Sequence, residues 1–238
     1  MIFDVITIFP HIFDSFLKES FIKKAREKGL IKIKIHNLRD FTTDKHKTVD
    51  DRPYGGGLGM VLKVEPIYKA VRKIRKPAFA KATAGKAKVI LFTPRGKKFN
   101  QKIAYQFSKL ERIIMICGRY EGVDERVAKY IADMQLSIGD YDLMGGDLPA
   151  QVLIETVARL IPGVLGKPEL LKERITKEKG FVEYPQYTRP EVFSFPPSPR
   201  LRRAGKKGIK WEVPKVLISG HHKKIAEWRN KRGKDIGK

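Results

Sequence analysis

The sequence predicts an α/β fold with a mostly parallel sheet, and two observations carry that prediction. Short apolar runs of strand length, such as 89–92 and 112–117, alternate along the chain with segments whose apolar residues recur at helical spacing. Polar segments that contain glycine directly follow several of these runs, where a parallel sheet places its ligand-binding loops. Strands and helices that alternate in this way build a sheet covered on both faces.

The first strand is predicted over 1–9, because its residues alternate and several are β-branched. Pro10 then opens a helical pattern that ends at Gly29, where a helix C-cap is expected. A strand follows over 31–36, since isoleucine alternates there with lysine. The remaining predicted elements of this part are helix 64–76, strand 89–92, helix 101–110, strand 112–117, helix 124–132, strand 134–137 and helix 148–161.

The first predicted domain covers residues 1–166, and the character of the chain changes after it. Residues 167–183 are charged and weakly periodic, which predicts an interdomain linker or lid. Residues 184–238 are expected to form a small, basic, mainly helical C-terminal domain, with a strand-like run at Val216 to Ser219. Segments 77–87 and 195–210 have biased compositions and no core-building period, so both are predicted to be surface insertions.

The charge of the chain indicates a polyanionic partner. Fifty Lys plus Arg residues stand against 26 Asp plus Glu residues, a formal net charge of +24 in 238 residues. A field of this size favours nucleic acid, although it does not separate an enzyme from a passive binder. The apolar runs are too short to span a membrane, so no membrane partner and a cytoplasmic location are expected. One cysteine and five histidines without ligand spacing predict no metal-binding residue.

The first of two glycine-rich segments runs from Asp50 to Met60 and reads DDRPYGGGLGM. No strand is predicted to lead directly into it and no Gly-Lys-Ser/Thr follows, which excludes a dinucleotide fingerprint and a P-loop. An ordinary flexible loop and a functional loop both remain open. The charged residues Asp50, Asp51 and Arg52 directly before the glycines favour the functional interpretation.

The second glycine-rich segment runs from Ser137 to Pro149 and reads SIGDYDLMGGDLP. Glycines at 145 and 146 would let the main chain approach a flat ligand closely. The aspartates at 140, 142 and 147 suit a cationic cofactor such as a sulfonium. For Asp147, capping of the following helix is an equally good explanation.

A third segment, Gly118 to Gly122 (GRYEG), directly follows a buried-looking strand. Its position favours ligand contact over a tight turn with a stacked tyrosine. Cys117 ends the same strand and has no base beside it in sequence, so a core thiol is predicted rather than a nucleophile.

These motifs resemble the bacterial tRNA (guanine-N1)-methyltransferases, the TrmD family. Five segments between residues 48 and 190 match in the family's order: 48–57, 117–127, 137–150, 159–166 and 184–190. The resemblance implies methylation of guanine N1 at position 37 of tRNA, directly 3′ of the anticodon. S-adenosylmethionine is the implied methyl donor.

The resemblance also implies a SPOUT fold, in which the C-terminal part of the α/β domain is tied in a deep trefoil knot. Nothing in the periodicity indicates a knot. A homodimer with active sites at the subunit interface is implied as well. The implied cofactor-binding residues are Leu91, Phe92, Thr93, Pro94, Gly118, Tyr120, Glu121, Ser137, Ile138, Gly139, Tyr141, Leu143, Gly145, Gly146 and Pro149. The implied substrate-binding residues are Asp50, Arg52, Tyr54, Gly55, Gly56, Arg189 and His222.

Methylation of guanine N1 needs two further groups. N1 carries a proton at neutral pH, so a base must remove it, and a cation should stabilise the charge that grows on O6. Arg159 matches the family's arginine for the second role. The family's aspartate in the following linker has no counterpart here, and Glu173, within one residue of the expected place, is the candidate base. Family members are also described as needing magnesium, which a carboxylate-lined site could accept.

Two other functions remain open at this stage. A knotted RNA-binding protein that has lost its general base is the first, and a methyltransferase of ribosomal RNA is the second. The chain also stops soon after Arg229, where the family continues, so a shortened tRNA-binding domain is expected. Glu173 decides between the tRNA methyltransferase and the non-catalytic protein.

Overall fold

The structure is a computed structural model that describes residues 1–75, 86–167, 180–195 and 209–236. Its contacts divide the chain into two compact units, 1–173 with 237–238, and 174–236. Most of the two predicted insertions and most of the predicted linker lie outside the described residues. None of the helices in the described ranges is long and apolar enough to cross a membrane.

The first unit is built on a five-stranded sheet with two small flanking strands. Its strands are β1 (Ile2–Thr7), β2 (Lys32–Asn37), β3 (Asp50–Asp51), β4 (Val61–Leu62), β5 (Ala87–Lys98), β6 (Arg112–Ile116) and β7 (Met134–Ser137). The sheet has the order β2-β1-β6-β5-β7 and every neighbouring pair is parallel, while β3 and β4 form a separate antiparallel pair. The predicted α/β class and parallel sheet are therefore confirmed.

Helices cover both faces of this sheet. They are α1 (Ser20–Glu27), α2 (Val64–Ile74), α3 (Gln101–Phe107), α4 (Glu125–Tyr130) and α5 (Asp147–Ala158). Successive residues of β6 point to opposite faces, so Ile113 and Met115 join a core cluster with α1, α3 and α5. Ile114 and Ile116 join the other cluster, with α2 and α4.

The continuous helix predicted from Pro10 is wrong, because the chain is interrupted before α1. The chain forms two short 3-10 turns, Pro10–Phe13 and Phe16–Lys18, before α1 begins. Glu19 has an extended backbone with ψ of 137°, which interrupts the run. The apolar stripe still reaches the core, because Phe13 is fully buried there. Tertiary packing therefore uses the predicted apolar residues without a continuous helix.

The strand predicted over 89–92 is longer than expected. It extends as β5 to Lys98, and a wide bulge interrupts its pairing with β7. Phe92 and Lys97 both lie opposite Leu136, so the residues between them form the bulge. Thr93 to Gly96, one of the glycine-containing segments that follow an apolar run and were expected to be loops, therefore lies within the strand.

Within residues 180–195 and 209–236, the second unit contains two antiparallel strand pairs and two helices. Its elements are β8 (Phe181–Glu183), β9 (Val192–Phe195), β10 (Ile209–Glu212), α6 (Lys215–Ile218), α7 (His222–Arg232) and β11 (Lys234–Ile236). The helix α7 is rich in lysine and arginine and lies in the part predicted to be a basic domain. The strand predicted at 216–219 is wrong, because the chain turns into α6 directly after Pro214, whose φ is −54°. The rings of Tyr187 and Trp228 lie 6.3 Å apart and connect α7 to the segment after β8.

Candidate active site

A cavity of about 560 Å³ opens in the first unit where β6 and β7 end and β5 bulges. Its wall is formed by three segments, 91–95, 118–123 and 136–146, together with the start of α5 and part of α4. All residues predicted to bind the cofactor line this cavity except Gly139. Gly139 lies directly under the Tyr141 ring, where an added Cβ would overlap the ring atoms.

The bulge of β5 forms one wall of the cavity. A Cβ on Gly96 would come within 2.5 Å of the main-chain nitrogen of Leu136, so only glycine lets the bulged strand close onto β7. Closure at Gly96 pushes Thr93, Pro94 and Arg95 outward to line the cavity.

The two loops after β6 and β7 meet main chain to main chain at Gly145 and Gly146. The Gly146 amide donates a hydrogen bond to the Gly118 carbonyl at 3.0 Å. A Cβ on Gly146 would lie 2.7 Å from the Cα of Cys117, and one on Gly145 would lie 2.6 Å from the Gly118 oxygen. Any larger residue would therefore separate the loops that form the cavity.

Asp147 is held in a buried ion pair beneath these glycines and does not cap α5. Its carboxylate accepts hydrogen bonds from Thr7 Oγ1 at 2.5 Å and from Arg119 Nε at 2.8 Å. The Arg119 guanidinium also lies 4.7 Å from the centre of the Phe9 ring. Arg119 neutralises Asp147, so this aspartate does not serve a cationic ligand. Sequence reasoning missed the network because its partners lie 28 and 140 residues away from Asp147.

Two other carboxylates lend negative charge to the cavity. Glu121 and Asp142 both line it. Glu125 lines it too but pairs with Arg95 at 2.7 Å, while Asp140 lies outside and pairs with Lys98. Three aspartates were predicted to give this segment its charge. Among the described residues, Asp142 alone of the three both lines the cavity and forms no ion pair with a basic side chain.

Tyr120 occupies a strained backbone conformation at the cavity wall. Its φ is +60°, a left-handed value that side chains other than Asn and Asp seldom adopt. The turn is closed by a hydrogen bond from the Gly122 amide to the Arg119 carbonyl at 3.0 Å. About half of the Tyr120 side chain is exposed, so its ring is available to a ligand. Such strain is concentrated at functional sites.

Cys117 is a core thiol, as predicted. It is buried in the cluster beneath α5. Burial raises the pKa of its thiol well above the ordinary value, and the negative charge of Asp147 raises it further. A neutral, enclosed thiol is not a nucleophile.

The first glycine-rich segment ends against the same cavity. The Glu121 amide donates to the Met60 carbonyl, and the Leu62 amide donates to the Gly122 carbonyl, both at 3.0 Å. A Cβ on Gly59 would lie 2.6 Å from Cγ of Glu121. The two glycine-rich segments, whose nearest ends are 77 residues apart (137 − 60), thus share the loop 118–122 as a common neighbour.

The residues predicted to bind the substrate lie in both units, and all of them are exposed except Asp50, which is half-buried. Asp50 lies in β3, and Arg52, Tyr54, Gly55 and Gly56 follow it in an exposed loop. The structure describes two more of them, Arg189 and His222, as exposed residues of the second unit.

The two predicted catalytic residues do not line the cavity within the described part of this chain. Arg159 follows the last residue of α5, ten residues beyond Pro149 and about 15 Å farther along the helix axis. Burial raises the pKa of the Tyr105 phenol, and the positive charge of Arg159 lowers it again. Arg159 therefore lies near Tyr105. Glu173 lies outside the described residues.

Comparison with known proteins gives a match along the whole chain. Residues 1–236 match the family model described as tRNA (guanine-1)-methyltransferase TrmD. The chain belongs to this family. Curated relatives named tRNA (guanine-N(1)-)-methyltransferase include those of Dictyoglomus turgidum (51% identical over 96% of this chain and 83% of the relative), Geotalea uraniireducens (47%, 98% and 85%) and Clostridioides difficile (45%, 100% and 94%).

Membership of the TrmD family confirms the resemblance predicted from the five motifs. Magnesium, which that resemblance also implied, remains a prediction. Across residues 1–75, 86–167, 180–195 and 209–236, no group of three His, Cys, Asp or Glu side chains is arranged to hold a metal ion.

Proposed function

We propose that this chain transfers a methyl group from S-adenosylmethionine to N1 of guanine 37 in tRNA. The observation that carries the proposal is the cavity at Gly145 and Gly146, in a chain whose relatives are named tRNA (guanine-N(1)-)-methyltransferase. Methylation of ribosomal RNA is not favoured, since the family and the relatives are named for tRNA. The large positive charge fits an RNA substrate, and we place the reaction in the cytoplasm.

The residues of the cavity fit S-adenosylmethionine. A volume of about 560 Å³ lies in the range of small-molecule sites, roughly 300–1,000 Å³. Glu121 and Asp142 complement a sulfonium charge, and the half-exposed rings of Tyr120 and Tyr141 offer apolar faces to an adenine. When bound there, the cofactor supplies an electrophilic methyl group. The chain's own residues must bind and orient both partners and move one proton.

The reaction at guanine needs one base and one cation from the protein. The Glu173 carboxylate would accept the N1 proton, which leaves a lone pair on N1 for the methyl group that the bound cofactor would supply. Arg159 stabilises the negative charge that develops on O6. No step is assigned to magnesium.

A homodimer with a SPOUT-type knot brings Arg159 to a cavity. Arg159 lies too far along α5 to serve its own chain's cavity, so a second copy supplies it. The first unit also exposes an apolar patch that a second copy can cover: Phe9 (44% exposed), Ile12 (36%), Leu148 (52%) and Val152 (42%). The Gln151 side chain donates to the Ile12 carbonyl at 3.2 Å and holds both sides of this patch together.

Mixing two inactive variants tests the shared site. Arg159→Ala lacks the cation and Gly146→Val blocks the cavity, so each homodimer should be inactive. Co-refolded mixtures should recover activity, because a heterodimer has one cavity with both an intact wall and an intact arginine. No recovery, in mixtures shown to contain heterodimers, contradicts a shared site.

Glu173→Gln tests the base. Turnover should fall roughly 100-fold, the lower end for loss of a general base, while binding of S-adenosylhomocysteine stays unchanged. Glu178→Gln removes the same charge five residues farther along the chain and should leave turnover within about twofold of the wild type. Full activity of Glu173→Gln contradicts the assignment. Cofactor binding by the wild type without methylation of any tRNA identifies the non-catalytic alternative instead.

A further inference from the structure

A second concave surface lies at the opposite edge of the sheet from β7. It has a volume of about 580 Å³ and lies between the segment 17–27 and the edge strand β2, and we call it the β2 groove. Its floor includes Leu17, Ile31 and Ile33. Its charged lining residues are Lys18, Lys23, Arg26, Glu27, Lys32 and Lys34.

The β2 groove has a strong excess of positive charge. Five cations and one carboxylate give it a formal charge of +4. The carboxylate of Glu27 lies 3.8 Å from Lys23 Nζ. Within the described ranges, none of the other four cations forms an ion pair. Four basic groups are therefore available to a ligand.

The geometry of Arg26 shows how one of these groups is held in place. Its Nη1 donates to the Leu17 carbonyl at 2.8 Å, which fixes the guanidinium between α1 and the preceding turn. A guanidinium has five N–H donors, so most remain available. Lys32 and Lys34 alternate with Ile33 on β2, so their exposed side chains leave the strand on the face opposite to Ile33 and border the groove along the free edge of the sheet.

The β2 groove is distinct from the cavity. Three strand spacings, about 14 Å, separate β2 from β5 in the sheet. Lys32 also lies at the amino end of its strand, whereas the cavity opens where β6 and β7 end. A ligand in the β2 groove therefore does not reach the reacting atoms.

We propose that the β2 groove binds the phosphate backbone of the tRNA away from the guanine that is methylated. Lysine and arginine side chains are donors only and phosphate oxygens are acceptors, so the groove complements an RNA strand without reading its bases. Such contacts fix the position of the RNA on the protein. This inference rests on the proposed tRNA substrate. An acidic protein segment is the other polyanion that the charge admits, and an RNA-modifying family makes RNA the better match.

The test compares two double variants that remove the same charge. Lys32→Gln/Lys34→Gln removes two cations from the β2 groove. Lys24→Gln/Lys28→Gln removes two exposed cations at α1 and its C-cap, neither of which lines the groove. Binding of fluorescently labelled tRNA transcript is measured between 50 and 200 mM KCl, and S-adenosylhomocysteine binding and thermal unfolding verify that both variants are folded.

The groove variant should bind tRNA about tenfold more weakly, and the slope of log K against log salt should decrease by roughly 1.5, since each lost phosphate contact accounts for roughly 0.7–0.9. The control variant should stay within about twofold of the wild type. Equal weakening in both variants, or none in the groove variant, overturns the proposal. Unchanged tRNA affinity together with lost binding of an oligoglutamate peptide also overturns it and assigns the groove to a protein partner. Because the measurement is of binding, wild type that binds tRNA without methylating it contradicts the proposed function alone.

Discussion

Gly145 and Gly146 are glycines for a different physical reason than Gly55 and Gly56. At 145 and 146 the neighbouring main chain occupies the space of a Cβ, with atoms 2.6–2.7 Å away. A Cβ added at 55 or 56 would have no atom within 4 Å. Glycine suits these positions because of the backbone angle φ, which is +86° at Gly55 and +80° at Gly56. The first pair shapes a cavity and the second shapes an exposed loop. Similar glycine content therefore serves close packing in one segment and backbone conformation in the other.

The largest effect is expected beneath the close-packed glycines. Arg119→Met leaves the Asp147 carboxylate fully buried without its cation, so the free energy of unfolding should fall by about 3–5 kcal/mol. Chemical denaturation measures the change. Arg126→Met breaks the exposed pair with Asp124 and should cause no comparable loss. Equal effects in the two variants would show that the buried network does not support the cavity.

A smaller effect is expected where the two glycine-rich segments meet. Gly59→Ala adds a Cβ 2.6 Å from Glu121 Cγ at a position with φ of +85°. Gly56→Ala meets only the backbone penalty, about 1–2 kcal/mol. Gly59→Ala should therefore lower the free energy of unfolding by about 1–3 kcal/mol more than Gly56→Ala does. It should also weaken S-adenosylhomocysteine binding, and identical behaviour of the two variants would contradict the contact with Glu121.

The smallest effect is expected from raising the pH around Cys117. Burial raises the pKa of this thiol, so it stays neutral at pH 8.5–9, where a free cysteine (pKa about 8.5) is substantially ionised. Alkylation by iodoacetamide should therefore be slow at pH 7 and not much faster at pH 9 until the protein unfolds. Rapid alkylation that follows an ordinary thiol titration would show that the loops beside Gly146 open readily.

The fold could be predicted from local patterns as far as the parallel sheet and most of its helices. Strands such as β6 are continuous apolar runs, which is typical of strands buried on both faces. The bulge in β5 could not be predicted, because it arises where Phe92 and Lys97 both pair with Leu136 of the neighbouring strand β7. The helix at α6 was missed because β-propensity is weak where tertiary packing decides.

The cavity was predicted largely through motifs, and the ion pair behind it was not. Glycines beside carboxylates marked the segments that line the cavity, although Asp147 proved to be neutralised by Arg119. The carboxylate that faces the cavity from the neighbouring loop is Glu121, and nothing local indicates its contact with Gly59. Such pairs depend on distant segments meeting, which a single sequence does not reveal. The roles of Arg159 and Glu173 remain predictions.

Titration of S-adenosylhomocysteine into four proteins tests the central claim, that the close-packed glycines form the cofactor site. We expect Gly146→Ala to lose at least about tenfold in affinity, or 1.4 kcal/mol. Gly55→Ala and Gly166→Ala should match the wild type within about twofold, because an added Cβ meets no atom within 4 Å at either position. Wild-type affinity in Gly146→Ala, or an equal loss in Gly55→Ala, would contradict the assignment of the cofactor to this cavity.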